Sequence, residues 1–249
     1  MGLVFGVLSS LAAIVILAIL VAGFNWVTNR RAVKKFLHVK DRGVNLYASR
    51  ITVKLWGSLG ADGVVRSYSG PTIAGTELES IIQIEGFLSS LRPTPVSLGS
   101  ALSRIRITSP DTSLSFHMAP ENESGIDSTS SIVSMGSPAY NIVSAATQRD
   151  FPQLACFSSD YRSIGIAGVG TTTDVEAFLV ERAINPNLNR CTFYLAGQSA
   201  LGTQHAAGYL IRHWKELYKR FGEDQNFALV FAGNFAVGGS PELLFETHS

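Results

Sequence analysis

The chain opens with a long uncharged stretch that is followed by a basic one. Leu3 to Phe24 reads LVFGVLSSLAAIVILAILVAGF, and a helix of about 22 residues is about 33 Å long. That length is enough to cross a hydrocarbon core of about 30 Å. Lysine and arginine residues then recur between positions 30 and 42, and none precedes the stretch. The pattern predicts a single-pass protein of the inner (plasma) membrane, with its N-terminus outside and its C-terminal domain in the cytoplasm.

Two other interpretations of the stretch are a cleaved signal peptide and a buried core helix. A signal peptide would carry basic residues before a shorter apolar run and end at a small-residue cleavage site. Uncharged runs of this length are rare in soluble domains. We therefore predict a transmembrane anchor at 1–26, a basic juxtamembrane helix at 27–43 and a cytoplasmic domain at 44–249.

The first half of the domain mixes strand and helix patterns. ITVKLWG (51–57) alternates as a half-buried strand does, and SRIRITSP (103–110) is a second candidate strand. An amphipathic helix is predicted from Gly75 to before Pro93, with isoleucine and leucine along one side. Residues 119–130 are polar and rich in breakers, which predicts a surface loop.

The second half alternates strands and helices more regularly. Strands are predicted at SIVSM, VEAFLVERAI, CTFYLAG, NFALVFAGNF and ELLFETH, and helices at 140–147 and 203–220. Apolar strands that end in glycine-rich loops before helices are typical of an open α/β sheet covered on both faces. The predicted fold class is α/β: one N-terminal transmembrane helix followed by a Rossmann-like three-layer α/β domain.

Composition and charge restrict the possible partners. The chain is 46% hydrophobic with a formal net charge of +1, and much of the positive charge lies beside the predicted anchor. The domain is therefore not predicted to bind nucleic acid, which requires a basic face. The basic segment is predicted to meet anionic headgroups of the lipid bilayer. The cysteines and histidines have no metal-ligand spacing, so neither a metal nor a cofactor is predicted.

Two strand-to-helix junctions carry the candidate binding residues. In open α/β sheets ligands bind beyond the carboxyl ends of the strands, where helix N-termini offer free amides and glycine allows close approach. The alternative is that the same residues only form tight turns and caps. The candidates are Gly136, Ser137 and Asn141 in the first junction and Gly197, Gln198, Ser199, Gly202 and Thr203 in the second.

Two charged residues near the end of VEAFLVER extend this hypothesis. Glu181 is a candidate partner of a ribose hydroxyl, and Arg182 of a phosphate, if the end of this strand faces the same crevice. An ordinary salt bridge is an equally open interpretation.

The second junction differs from two well-known motifs. Thr203 occupies the position of the P-loop lysine, which argues against a Walker ATPase. In GQSALG the second glycine comes one residue too late for the nucleophile elbow of a serine hydrolase.

GSPAYN after a strand, followed by VERAINPNLNRCTFYLAGQSALGTQHAAGYL, resembles an uncharacterised prokaryotic Rossmann-like domain family. That family is similar in outline to the SLOG and nucleoside-deoxyribosyltransferase-like nucleotide binders of membrane-tethered anti-phage effectors. The resemblance covers roughly residues 131–209 and implies a nucleotide-like ligand. Ser137 stands where the family carries glycine, and no catalytic carboxylate is carried over.

Three functional hypotheses follow from these patterns. The first is a membrane-anchored sensor or effector that binds a nucleotide-derived ligand and changes the assembly of a homo-oligomer. The second is a membrane-tethered glycosidase or transferase that consumes a nucleotide or NAD, with Glu181 as its carboxylate. The third is a membrane scaffold protein without a ligand.

Overall fold

A computed structural model describes most of the predicted domain and a short helix before it. The described residues are 28–38, 43–55, 68–89, 114–167, 169–172, 176–188, 190–235 and 238–249. The predicted membrane span and the predicted strand at 103–110 lie outside these residues. Within them, no helix combines the length and the apolar character that crossing a bilayer requires.

Four α-helices, one short 3-10 helix (Glu123–Gly125) and twelve strands are present in the described residues. The helices are α1 (28–36), α2 (Gly75–Ser89), α3 (Ile142–Asp150) and α4 (Ala200–Phe221). The strands are β1 (Val44–Ala48), β2 (Ile51–Leu55), β3 (Tyr68–Thr72), β4 (Leu114–Met118), β5 (Ser131–Met135), β6 (Cys156–Phe157), β7 (Ile164–Ile166), β8 (Gly170–Thr171), β9 (Ala177–Asn185), β10 (Arg190–Gly197), β11 (Phe227–Ala232) and β12 (Glu242–His248).

Seven strands form the central sheet in the order β12-β11-β9-β10-β5-β1-β4. The four strands β4, β1, β5 and β10 are mutually parallel, whereas β9 and β12 run against their neighbours. Parallel strands need long crossovers, and the crossover from β1 to β4 contains α2. The domain is thus a mixed α/β fold, consistent with a Rossmann-like α/β domain.

The two faces of the sheet are covered differently. Along β9, Phe178 and Val180 point to the face packed by α1, α2 and α4. Leu179 and Ala183 point to the opposite face, which is covered by α3, the segment after it and the small sheet β6-β7-β8. This alternation follows from the two-residue period of a strand. It produces three layers with an apolar core on both sides of the sheet.

The end of α1 is held to the core by a buried arginine. The guanidinium of Arg182, on β9, donates hydrogen bonds to the carbonyl groups of Phe36 (3.4 Å), Phe221 (3.3 Å) and Gly222 (2.9 Å). It also donates to the carbonyl of Gln225 and lies 5.1 Å from the ring centroids of Phe36 and Phe227. A cation is favoured at helix C-termini, where carbonyl groups lack partners, and α1 and α4 both end here.

Replacement of this arginine tests how far the domain depends on it. Arg182→Met keeps much of the side-chain volume but leaves the buried carbonyl groups without a donor. We expect the free energy of unfolding to fall by about 3 kcal/mol, because each lost bond involved a charged group. Chemical denaturation of the full chain in detergent micelles measures this change.

The matched control is Arg220→Gln, which removes an exposed arginine that pairs with Glu246 at 2.6 Å. Arg220 is half exposed, and its loss leaves Glu246 able to meet solvent and removes a contact with the Phe221 ring, so we expect a loss of at most about 1 kcal/mol, well below that of Arg182→Met. Similar losses for both variants would contradict the role of Arg182.

Candidate functional site

The connections on the two sides of the sheet diverge at β1 and β5, which lie side by side. From β1 the chain crosses to β4 on one side, and from β5 it continues to β9 and then to β10 on the other. The helices after them pack on opposite faces, α2 on the α4 face and α3 on the other. In open α/β sheets ligands bind beside such a point of divergence, and we name the region between the ends of β1 and β5 the crevice. We name the edge at which β1, β5 and β10 end the carboxyl edge.

A buried carboxyl group lies in this crevice. Glu77, in the first turn of α2, accepts hydrogen bonds from the backbone amide (3.1 Å) and the hydroxyl group (2.8 Å) of Ser49, the residue after β1. Burial raises the pKa of Glu77, although the two bonds from Ser49 oppose the shift. The crevice therefore contains a buried carboxyl group, and each of its oxygens already accepts a hydrogen bond from Ser49.

Gly136 is required by the packing of this crevice. Its φ is +98°, and a Cβ atom there would lie 1.9 Å from Ser49 Oγ and 2.7 Å from Glu77 Oε1. The room that the missing side chain provides is therefore filled by groups of the chain itself. The expectation that a phosphate approaches the backbone at Gly136 fits this geometry poorly, because an ionised Glu77 would repel it.

Asn141 joins the two strands that border the crevice. Its amide nitrogen donates to the carbonyl groups of Tyr47 (3.3 Å) and Met135 (2.8 Å), close to the ends of β1 and β5. Its side-chain oxygen accepts from the amides of Val143 (2.9 Å) and Ser144 (3.4 Å) and so caps α3. Asn141 is thus a positioning residue of the crevice.

The structure brings the two predicted junctions together. The amide of Gly136 donates to the carbonyl of Leu195 at 2.9 Å, so the loops that follow β5 and β10 are neighbours. In the second loop, a Cβ atom on Gly197 would lie 2.5 Å from the Cα atom of Gly202. The amide of Gly197 also donates to the hydroxyl of Thr203 at 3.1 Å. These glycines therefore let the end of β10 contact the start of α4.

The polar side chains of the second loop have partners within the protein. Ser199 caps α4 by accepting from the amide of Gly202 (3.1 Å), and it donates to the carboxylate of Glu176. Gln198 accepts from the amide of Ala177 at 2.8 Å. A carboxylate already lies at the N-terminus of α4, where an anion is favoured. The turn and the cap of α4 therefore account for much of the polar character of this loop.

Glu181 and Arg182 do not share the crevice with the two loops. Since β9 is antiparallel to β10, its carboxyl end lies at the opposite edge of the sheet. The hypothesis placed both charges at one crevice because it assumed a parallel strand. Arg182 is fully buried among backbone carbonyl groups, so its guanidinium already has partners.

Glu181 faces the other side of the sheet and is also fully buried. One carboxyl oxygen accepts from the amide of Ala155 at 3.2 Å. Within the described residues, the other oxygen and the hydroxyl of the paired Tyr194 have no hydrogen-bond partner. Burial raises the pKa of Glu181 well above its usual value. Its environment suits a neutral carboxyl group rather than a ligand-binding carboxylate.

Several polar residues at the rim of the crevice were not among the sequence candidates. Arg50 donates its amide to the carbonyl of Tyr140 (2.8 Å), and its guanidinium contacts the carboxylate of Glu121 (2.6 Å). Tyr140 is 55% exposed. The predicted Ser137 lies in the same loop and accepts from the amide of Tyr140 at 3.1 Å. The rim thus presents a cation and an aromatic ring to solvent.

A separate cavity of about 580 Å³ lies beside the small sheet. Its lining includes Cys156, Phe157, Ser163, Ile166 and Val169. None of the described residues that line it is charged, and none belongs to the predicted site.

Comparison with known proteins finds no family model, no curated protein and no solved structure that matches the chain. The family resemblance of the loops accordingly stays a prediction, and the geometry of the crevice has to carry any functional proposal.

The burial of Glu181 predicts a pH dependence of stability. Its pKa is raised in the folded chain above the usual 4.5, so the folded chain binds more protons between these two values. The free energy of unfolding should therefore fall as the pH rises through this window. In Glu181→Gln this contribution should disappear, so the decrease between pH 5 and pH 8 should be smaller than in the wild type. Denaturation at both pH values measures it.

Glu85→Gln is the control, because Glu85 is exposed on α2. It should keep the pH dependence of the wild type. An unchanged pH dependence in Glu181→Gln would show that the carboxyl group does not stay protonated in the folded chain.

Proposed function

We propose that this protein is a membrane-anchored sensor or effector whose cytoplasmic Rossmann-like domain binds a nucleotide-derived ligand at the carboxyl edge. The observation that carries the proposal is the buried Glu77 carboxyl group between the ends of β1 and β5, at the point where the connections diverge. Rossmann-like sheets bind ligands at this position, and an acidic side chain there accepts hydrogen bonds from ribose hydroxyl groups.

The contacts of α1 support the anchoring part of the proposal. Val33 and Phe36 are fully buried in the core, and the carbonyl of Phe36 is bound by Arg182. The predicted membrane span would therefore continue into a helix that is part of the domain rather than into a loose linker. A single span encloses no pore, so an effect on the membrane requires a homo-oligomer whose assembly depends on the ligand. Anti-phage signalling is the setting that the family resemblance suggests.

The geometry of Glu77 also favours the glycosidase or transferase hypothesis as a second candidate. A carboxyl group whose pKa is raised by burial can act as a general acid near neutral pH. In this hypothesis Glu77 replaces Glu181 as the candidate carboxylate, because Glu181 lies outside the crevice. Release of a free base from a nucleoside, nucleotide or NAD would distinguish this enzyme from a sensor.

Removal of the Glu77 charge tests the ligand site. Glu77→Gln keeps the size of the side chain but removes an acceptor and the titrating proton. We expect native mass spectrometry of the full chain, purified from cells, to show a co-purifying nucleotide in the wild type and its loss in Glu77→Gln. Glu85→Gln, on the exposed side of the same helix, should retain it.

Two results would contradict this proposal. One is a wild-type chain that carries no nucleotide and binds none when incubated with nucleosides, nucleotides and NAD. The other is equal binding by Glu77→Gln and the wild type.

The orientation in the membrane is tested independently of the ligand. The basic segment after the uncharged stretch predicts that a reporter fused after Ser249 is active only in the cytoplasm. Activity on the outer side of the membrane would contradict both the predicted orientation and a cytoplasmic ligand.

A further inference from the structure

We propose that the outer edge of β12 pairs with the same edge of a second copy of this chain, so that two central sheets join into one. The inference gives the homo-oligomer of the proposed function a defined surface, and it rests on that function for the need of a second copy. The contact involves neither the crevice nor a ligand, so it can be tested separately from both.

β12 is an outermost strand of the central sheet, and no further strand pairs with its outer side among the described residues. Unpaired backbone groups at such an edge are a template for another strand. The register shift opposite Val230 and Phe231 leaves the chain from Phe245 onward as the regular part of the edge. Neither proline nor lysine, which commonly block sheet edges, occurs there. We name residues 245–249 the free edge.

The hydrogen bonds of Ser249 establish which backbone groups of the free edge point outward. Its amide donates to the carbonyl of Asn226 (3.2 Å), and the amide of Asn226 donates to the carbonyl of Ser249 (3.0 Å). These two residues are thus a hydrogen-bonded pair. In antiparallel strands such pairs alternate with pairs whose backbone groups point away from each other. By the register with β11, His248 and Glu246 therefore direct their amide and carbonyl groups outward.

One antiparallel register satisfies these outward groups on both copies. Two-fold symmetry about Thr247 places Glu246 opposite His248 of the partner subunit, and His248 opposite Glu246 of the partner subunit. Each of these two symmetric pairs makes two backbone hydrogen bonds, since both members point outward. The result is a closed dimer, because the same surface is used on both copies.

The side chains of the free edge favour this register over the adjacent one. Glu246 and His248 lie opposite Leu229 and Phe227, which both face α4, so the two side chains are on one face of the sheet. In the proposed register each imidazole lies opposite a carboxylate, to which it can donate a hydrogen bond. Glu246 is held at this edge by Arg220 at 2.6 Å, and the side chain of His248 is 57% exposed. Symmetry about Glu246 would instead place two carboxylates opposite each other, which is destabilising.

A contact along one short edge is a weak interface in solution, because it buries little surface. The anchor proposed above would confine all copies to one membrane, and such tethering raises their effective concentration. We therefore expect the pairing in membranes, and the experiment uses the full chain there.

Disulfide cross-linking at the symmetry axis tests the proposal. At Thr247 the two copies form a non-hydrogen-bonded pair, whose Cα atoms are about 4.5 Å apart and within reach of a disulfide. Thr247→Cys, combined with Cys156→Ser and expressed in membranes, should give a disulfide-linked dimer on mild oxidation. Cys191 is buried and stays in place.

Glu242→Cys in the same background is the matched control. Glu242 is exposed on the same strand, but in this register its two copies are about 30 Å apart, from a rise of about 3.3 Å per residue. It should therefore give little cross-linked dimer.

A second pair of variants tests the backbone hydrogen bonds. His248→Pro, added to Thr247→Cys, removes one outward donor from each of the two pairs and leaves the bonds between β11 and β12 in place. We expect the initial rate of cross-linking to fall about 10-fold, which corresponds to the loss of two hydrogen bonds. His248→Ala keeps the amide and should retain most of the rate.

Stronger cross-linking at Thr247→Cys than at Glu242→Cys, with a larger loss in His248→Pro than in His248→Ala, supports the pairing. Equal cross-linking at the two cysteine positions, or equal effects of the two His248 variants, overturns it. A disulfide-linked product whose mass is not that of two chains also overturns it, because the edge then pairs with a different protein. Glu77→Gln tests the ligand site separately, so failure of the pairing leaves that site standing.

Discussion

The buried guanidinium of Arg182 has no carboxylate partner among the described residues, and it organises the part of the domain that contains the antiparallel strands β9, β11 and β12. Burial lowers the pKa of Arg182, because removing its charge from water is unfavourable. That cost is offset by the carbonyl groups at the ends of α1 and α4 and by the rings of Phe36 and Phe227. Within the described residues no salt bridge contributes. The ends of two helices are therefore held at one point of β9.

The antiparallel course of β9 explains why two adjacent charges have unrelated roles. Glu181 and Arg182 alternate across the sheet, so one faces the small sheet and the other faces α4. They are the fifth and sixth of the nine residues of β9, which begins at the carboxyl edge. The crevice is formed instead by β1 and β5, whose helices pack on opposite faces. Its carboxyl group comes from α2, which is distant in sequence from both predicted loops.

Local patterns predicted the strongest elements of the fold. The strands β5, β9, β10, β11 and β12 and the helices α2, α3 and α4 were expected because each is apolar or amphipathic with the right period. β1 was missed because its five residues follow directly on the basic segment, and β4 because LSFHM has no clear alternation. The expected strand within 103–110 lies outside the described residues.

The candidate site was predicted only in part, for a physical reason. Asn141 and the glycines of the two loops carry a local signal, since each caps a helix or allows a close contact. Ser49 and Glu77 carry no such local signal, because the hydrogen bonds between them form only when β1 and α2 come together in the tertiary structure. The direction of β9 relative to β10 and β11 likewise depends on tertiary structure and not on its own sequence. A strand's sequence indicates its burial but not whether its neighbours run parallel to it.

The contacts of the helices connect the crevice to α1. α2, which carries Glu77, packs along α4, where Glu79 accepts from Gln204 at 2.7 Å and Phe87 lies 6.2 Å from Trp214. The last carbonyl groups of α4 share Arg182 with the end of α1. A displacement of α2 would thus act on α4 and, through one guanidinium, on the helix that precedes the domain. A ligand can use these contacts only if it binds one arrangement of α2 more tightly than another. Because the carboxyl group of Glu77 is on α2 and its donors are on Ser49, a ligand whose hydroxyl groups replaced those donors would change the contact between α2 and the end of β1.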